Sequence, residues 1–202
     1  MRVTTKTKSE TRQKILDAAE ILFRTGGYEV TTTRKIAERA GIGLATLFNY
    51  FPTKEAIVAS LASTALKAAR EKFERAPGKR ESLAEDLFAY IACELRHLKS
   101  YRTFLTPLLE TTLGPLGSSR DQADGAALRT SHLETVSQLA ARRGASAPQT
   151  PVALQLYWTL YTGVLAHWAT DESPRQEDTL ALLDESLAMF EGWLGRNTHR
   201  PK

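Results

Sequence analysis

Apolar residues recur at intervals of three and four through almost the whole chain, and no useful stretch alternates with a period of two. That spacing predicts one helix after another. Ile15, Ala19, Leu22 and Phe23 mark a first helix over residues 9–25, ended by Gly26 and Gly27. Three threonines open a second over 34–39, with Ile36, Ala37 and Ala40 as its apolar side. Gly41 stops it, because a residue without Cβ tolerates the backbone of a tight interhelical turn. A third helix over 44–50 carries Leu47, with Phe51 four residues on. Side chains four apart share a face, so these two point inward and Phe48, Asn49 and Tyr50 need not. Pro52 ends this helix, since it has no N–H and disfavours helix at the residue before it. Thr53 then caps a fourth helix over 53–76, with Ile57, Leu61, Ala65 and Ala68 as its stripe. At about 1.5 Å per residue it spans roughly 35 Å, enough to leave the first three helices behind.

The pattern stays helical beyond Pro77 and Gly78. Leu83, Leu87, Ile91, Leu95 and Leu98 define a helix over 82–98, and a shorter one follows over 101–113, interrupted at Pro107. Residues 114–125 are rich in turn formers and read as a mobile loop, and 144–150 as a second. Between them Leu128, Leu133, Val136 and Leu139 mark a helix over 126–143. Residues 151–169 form a helix with one wide apolar face of Leu154, Tyr157, Trp158, Tyr161, Leu165 and Trp168. Leu156, Leu160 and Val164 lie away from that face, so both sides are expected to be buried. Ser173, Pro174 and Gln176 read as an N-cap, a proline at the first helical position and a capping-box glutamine. The last helix carries a narrow seam of Leu180, Leu183, Leu187, Phe190 and Leu194. The fold class is all-α.

Two short helices joined by a glycine-containing turn make a helix-turn-helix, whose second helix can enter the DNA major groove. The residues over 11–61 go further. They read I-L-D-A-A at 15–19, L-F at 22–23, G-Y at 27–28, T-T at 32–33 and I-A at 36–37. They continue with A-G-I at 40–42, T-L-F-N-Y-F at 46–51 and K-E-A at 54–56. This stretch closely resembles the DNA-binding domain of the TetR (tetracycline-repressor) family of bacterial transcription regulators. The resemblance implies an N-terminal three-helix DNA-binding domain, placed at residues 9–55. It also implies a C-terminal helical ligand-binding and dimerisation domain, placed at 56–196. Phe48 stands where that family usually has tyrosine, and Gly43 where a small hydroxyl residue is frequent; the first change loses a hydroxyl contact and the second a cap.

Charge placement agrees with a DNA reader. The formal net charge is +4 over 202 residues. Residues 1–55 hold 10 Lys and Arg against 6 Asp and Glu, whereas the rest holds 17 of each. The whole surplus therefore lies on the segment that would neutralise phosphates. Residues 1–8 are basic and short of apolar side chains, an arm expected to be unstructured when free. Cys93 is the single cysteine, so no disulfide forms within the chain, which suits a reducing cytoplasm. The first 14 residues are too polar for a signal peptide. The most apolar helix is shorter than the ~20 residues of a membrane span. Cytoplasmic localisation is the expectation.

Individual roles follow. Thr33, Arg34 and Lys54 sit at helix starts, where backbone N–H groups favour a phosphate. The resemblance adds Leu44, Ala45, Phe48, Asn49 and Tyr50 as DNA contacts, with Asn49 the candidate for pairing with an adenine edge. By position only, it implies a ligand pocket walled by Tyr90, Glu94, His97, Phe104, Leu108, Trp158, Tyr161 and Trp168. It likewise implies a dimer interface through Leu156, Leu160, Leu183, Leu187 and Phe190. His97, His132, His167 and His199 are scattered without metal spacing, and no phosphate loop, nucleophile elbow or cysteine pair is present. No cofactor or metal is expected, and no enzyme. The partners expected are double-stranded operator DNA, a second copy of the chain and a small, mainly apolar effector that releases a repressor from DNA. Two rival readings are a constitutive DNA-binding dimer without a ligand and, more remotely, an α-helical enzyme.

Overall fold

The structure, a computed structural model, describes residues 5–76, 78–108, 122–144 and 150–197. All regular elements among these residues are helices. They are α1 (Thr5–Gly26), α2 (Thr33–Ala40), α3 (Leu44–Tyr50), α4 (Lys54–Arg75), α5 (Leu83–Leu98), α6 (Arg102–Leu108), α7 (Gln122–Arg142), α8 (Pro151–Thr170) and α9 (Glu177–Asn197). Short 3-10 turns at Lys99–Tyr101 and Pro174–Gln176 precede α6 and α9. Two starts come earlier than the periodicity suggests. The basic stretch before Ser9 is already helical from Thr5, where Thr11 bonds back to the Thr7 carbonyl. α7 begins inside the glycine-rich segment expected to be loop. The remainder of that loop, and residues 145–149 of the second, lie outside the described residues.

Side-chain caps set several starts. Thr32 Oγ1 accepts the Lys35 N–H, Thr53 Oγ1 that of Ala56, Ser82 Oγ that of Glu85 and Thr150 Oγ1 that of Ala153. Gly41 closes α2 with φ 68°, a left-handed position where its missing Cβ avoids strain. Gly43 starts α3 with no side-chain cap, as its lack of a hydroxyl requires.

The capping box expected before α9 does not form. Arg175 and Gln176 turn left-handed at φ 54° and 61°, so Gln176 cannot continue a helix from Pro174. Ser173 still caps α9, its Oγ accepting the Asp178 N–H, and Asp171 adds to it from further back: Oδ1 accepts the Ser173 N–H, while Oδ2 accepts the Thr179 N–H and hydroxyl. The hydrogen bond from Ser173, followed by that from Thr179, holds the Asp171 carboxyl well below the usual range.

α1, α2 and α3 close around Ile15, Ala19, Phe23, Ile36, Leu47 and Phe51, all buried. α4 crosses from this cluster into the body, at ~1.5 Å per residue about 33 Å for its 22 residues. Its stripe differs from the expected one in register. Ile57, Leu61 and Ala65 are buried, but Ala68 is exposed and Ala69 and Phe73 complete the line. A single apolar cluster runs on through α5, α7, α8 and α9 as far as Leu194.

α9 packs on α5 and α8, and this corrects the expected dimer seam. Leu183, Leu187 and Phe190 are only 1%, 3% and 2% exposed within one chain, and the Phe190 ring lies 5.5 Å from that of Tyr157. They have no surface left to give a partner. Leu156 and Leu160 are half-buried against the core. The apolar residues that α8 and α9 turn outward are Val152, Leu182 and Met189.

Candidate functional site

The first site is built on α3. Leu47 is fully buried and Phe51 nearly so, which fixes the helix by one edge; Ile42 is half-buried beside them. Ala45, Thr46, Phe48 and Asn49 are exposed, and Leu44 and Tyr50 are half-buried against the core. Phe48 is 45% exposed, an apolar ring left in water by a helix that buries its opposite side. Arg34, Lys35 and Arg39 are exposed on α2, and Thr33 is half-buried at its start. Thr46 was absent from the expected contacts, although T-L-F-N-Y-F spells it out. Its hydroxyl lies 3.8 Å from the Cβ that Gly43 lacks.

Lys54 departs from its expected role as a phosphate contact. Its Nζ donates to the Tyr28 carbonyl at 2.8 Å and to the Thr31 carbonyl at 3.2 Å. It also sits 3.8 Å above the centre of the Tyr28 ring. The Tyr28 hydroxyl in turn donates to Glu55 Oε1 at 2.6 Å. Burial pushes the Glu55 carboxyl up, but the Tyr28 bond, its own backbone N–H, Thr53 and Lys54 together hold it below the usual value. The start of α4 is thus a clamp on the loop between α1 and α2. Two of the ammonium's three protons are spent on it.

The second site is a cavity of about 420 Å³ between α4, α5 and α7. Ser63, Leu66, Lys67 and Arg70 of α4 line one side, and Tyr90, Glu94 and His132 another. Glu94 is fully buried and His132 nearly so. His132 Nδ1 lies 3.0 Å from Glu94 Oε1 and Nε2 lies 2.9 Å from the Tyr157 hydroxyl. Tyr161 donates to Glu94 Oε2 at 3.1 Å, and Tyr90 lies beside the same carboxylate. The imidazole is stacked 4.0 Å from the Tyr161 ring and 5.3 Å from that of Tyr90. With Nδ1–H donating to the carboxylate, Nε2 accepts the Tyr157 proton and every member is satisfied. Burial, followed by the Glu94 charge, pushes the hydroxyls of Tyr90, Tyr157 and Tyr161 well above their ordinary pKa.

The expected ligand wall divides accordingly. Tyr90 and Glu94 face the cavity, with Trp158 and Tyr161 packed around His132 behind it. His97 lies elsewhere, its Nδ1 2.8 Å from the Cys93 carbonyl. Phe104 is fully buried against Phe23 of α1, ring centres 5.2 Å apart. Trp168 is buried beneath Arg102. These three are placed by packing and not by the cavity. The side chain of Leu108 lies outside the described residues. His132, which sequence reasoning passed over, is central. Its signal was its position four residues after Leu128 and four before Val136, on the buried line of α7.

No described helix is long and apolar enough to cross a membrane. Among the described residues no group of three or more His, Cys, Asp or Glu could hold a metal.

A buried three-helix cluster presenting one exposed short helix, joined to an all-helical body that holds a cavity, defines a helix-turn-helix protein with an appended helical domain. The family model described as bacterial regulatory proteins, tetR family, matches residues 15–61. Residues 15–61 thus carry the DNA-binding segment of TetR-family regulators. It is 35% identical over 72 residues to the HTH-type transcriptional repressor KstR of Rhodococcus jostii, covering 36% of this chain and 34% of that protein. It is 36% identical over 89 residues to the uncharacterized HTH-type transcriptional regulator YvkB of Bacillus subtilis, covering 44% and 46%. The chain thus spans about a third to a half of the length of these relatives. A fuller likeness is to the crystal structure of the TetR-family repressor FadR of Thermus thermophilus in complex with lauroyl-CoA. There the identity is 25%, the TM-score 0.70, and 95% of this chain and 99% of that one are covered.

Proposed function

We propose that the chain is a DNA-binding transcriptional repressor that acts as a homodimer on double-stranded operator DNA in the cytoplasm and leaves it when a small molecule fills the cavity. The observation that carries this reading is the α3 face. Leu47 locks the helix into the core while Ala45, Thr46, Phe48 and Asn49 stand free. A short helix so held can lay its outer side chains on base edges, with exposed Arg34, Lys35 and Arg39 beside it for phosphates. Two copies are needed to reach half-sites about one DNA turn apart. The outward faces of α8 and α9, with Val152, Leu182 and Met189, are the surface assigned to that pairing.

The cavity supports the effector half of the reading. Its volume falls within the ~300–1,000 Å³ typical of small-molecule sites. Leu66 and Leu128 offer apolar contact, Glu94 and His132 a hydrogen-bonding end, and Lys67 and Arg70 a positive one. An amphipathic molecule with an anionic group fits this lining, and FadR of Thermus thermophilus, crystallised with lauroyl-CoA, supports an acyl ester of that kind. Because α4 supplies four lining residues and also begins at the clamp, a ligand that moves α4 reaches α2 and α3. It shifts the equilibrium only by its difference in affinity for the two states, typically ~1–3 kcal/mol.

Selection of genomic fragments by the purified chain, followed by footprinting, tests the first half; two protected half-sites are expected. Titrating acyl-CoA esters into the complex tests the second, with Leu66→Trp as the control that fills the cavity. Release by wild type and none by the variant is expected. Selected DNA that no such ester releases would leave a constitutive DNA-binding dimer.

A further inference from the structure

A second recess, of about 480 Å³, lies where the end of α5 and the Lys99–Tyr101 turn meet the link between α8 and α9. Arg96, Lys99, Arg102 and Arg175 line it, against the two carboxylates of Asp171 and Glu172. The acceptors are largely spoken for, since Asp171 already takes three hydrogen bonds from Ser173 and Thr179. The cations are not. Arg102 is held by the carbonyls of Ala169 and Asp171, which fix it without neutralising it. Arg175 has only the exposed Glu177. Neither Arg96 nor Lys99 has an ion-pair partner among the described residues.

Buried polar atoms without a partner are rare, and each calls for an explanation such as a missing ion or water. Among the described residues the unpaired buried side-chain nitrogens are Trp168 Nε1 and Gln176 Nε2, and both belong to the wall of this recess. Trp168 is 1% exposed. Both atoms are covered, so an occupant reaches them only when the link between α8 and α9 is drawn aside. That link is Arg175 and Gln176, consecutive non-glycine residues in the left-handed region, an arrangement L-residues disfavour.

We propose that this recess is a binding site for an organic oxyanion, a carboxylate or phosphate, received by Arg96, Lys99 and Arg175 and completed by the N–H groups of Trp168 and Gln176. Four cations face one carboxylate, Glu172, beside the already bonded Asp171, so the occupant that fits accepts hydrogen bonds and carries negative charge. The site is separate from the cavity beside His132 and shares no lining residue with it. Its position gives it leverage. Arg102 opens α6, and Phe104, two residues on, holds the ring contact with Phe23 of α1. The binding claim does not depend on the chain being a repressor, and it is tested without DNA.

The test is calorimetric titration of the full chain with inorganic phosphate, pyrophosphate and citrate at fixed ionic strength. Saturable binding of one anion per chain is expected, citrate separating a carboxylate site from a phosphate site. Arg96 and Lys99 are exposed, so R96A/K99A should fold as wild type and bind at least about tenfold more weakly, the scale of a lost charged hydrogen bond. Gln176→Met keeps the shape and removes the unpaired donor. It should leave the melting temperature of the free protein unchanged or raised while weakening binding several-fold. A link that is merely structural would give the opposite, a lower melting temperature and unchanged binding. Heats that never saturate, or anion binding equal in wild type and both variants, overturn the proposal.

Discussion

The helices that carry α3 and the body behind them bury different things. Around α3 the interior is apolar but for Thr31, whose hydroxyl donates to the Gly27 carbonyl, and charged side chains stay at the rim, as in the Lys54 clamp on the Tyr28 and Thr31 carbonyls. In the body an ionisable pair, Glu94 and His132, sits at the centre of three tyrosines with almost no exposure. An apolar interior tolerates change wherever volume is kept. A buried polar cluster tolerates none of its members being removed alone, because each leaves partners unsatisfied in a low dielectric. The reading end is therefore the robust part of the molecule and the cavity floor the fragile one.

The strongest way to break that contrast is Glu94→Ala. It strands His132 and Tyr161, and should cost about 3–5 kcal/mol in urea unfolding. The double change Glu94→Leu with His132→Leu should cost less than the single one; a larger loss would mean that packing, not satisfaction, holds the cluster. Next comes Leu187→Ala, expected to lose about 2–5 kcal/mol by opening a cavity in one chain. A variant of undiminished stability that dissociates on a sizing column would return Leu187 to a dimer seam. The contrast also appears with pH. The three tyrosines keep their protons in the folded state beyond the point where unfolded tyrosines lose them. Their contribution is thus complete below pH ~10 and lost above it, by about 1.4 kcal/mol per pH unit for each that remains protonated. Denaturant midpoints between pH 9 and 11 measure this, and a flat profile would refute the shared burial.

Smallest in stability, and most telling for DNA, is the pair Lys54→Ala and Asn49→Ala. Lys54→Ala removes the clamp and should cost about 1–3 kcal/mol of folding stability, since its two bonds are charge-assisted. Its salt slope of DNA binding should be unchanged if the ammonium touches no phosphate. Asn49→Ala should leave stability within ~0.5 kcal/mol and relax preference at one base pair of each half-site by about 1–3 kcal/mol. Uniform weakening on all sequences would remove Asn49 from base reading.

The reading end was legible because its constraints are local. Gly41, Pro52 and the four-residue step from Leu47 to Phe51 act over a single turn of chain. The cavity floor was half legible. Tyr90, Glu94 and Tyr161 were placed on it by position, yet His132, 38 residues from Glu94, was passed over. No periodicity relates side chains brought together by packing at that distance. The dimer seam failed for the same reason. A narrow apolar line on α9 says that the face is covered, not whether by its own chain or by another. Asp171 was hidden because it caps α9 from eight residues before Thr179, past a proline that imitates a helix start.

Ala56, Ile57, Val58 and Ala59 are buried one after another at the very place where reader and body were expected to divide. Their interior has no seam there. Calorimetry of such a chain should trace one melting peak in place of two, with the whole apolar surface released in a single heat-capacity step. A cut at that point would leave neither piece able to close its interior. Anything that tightens the body therefore raises the temperature at which the reader melts.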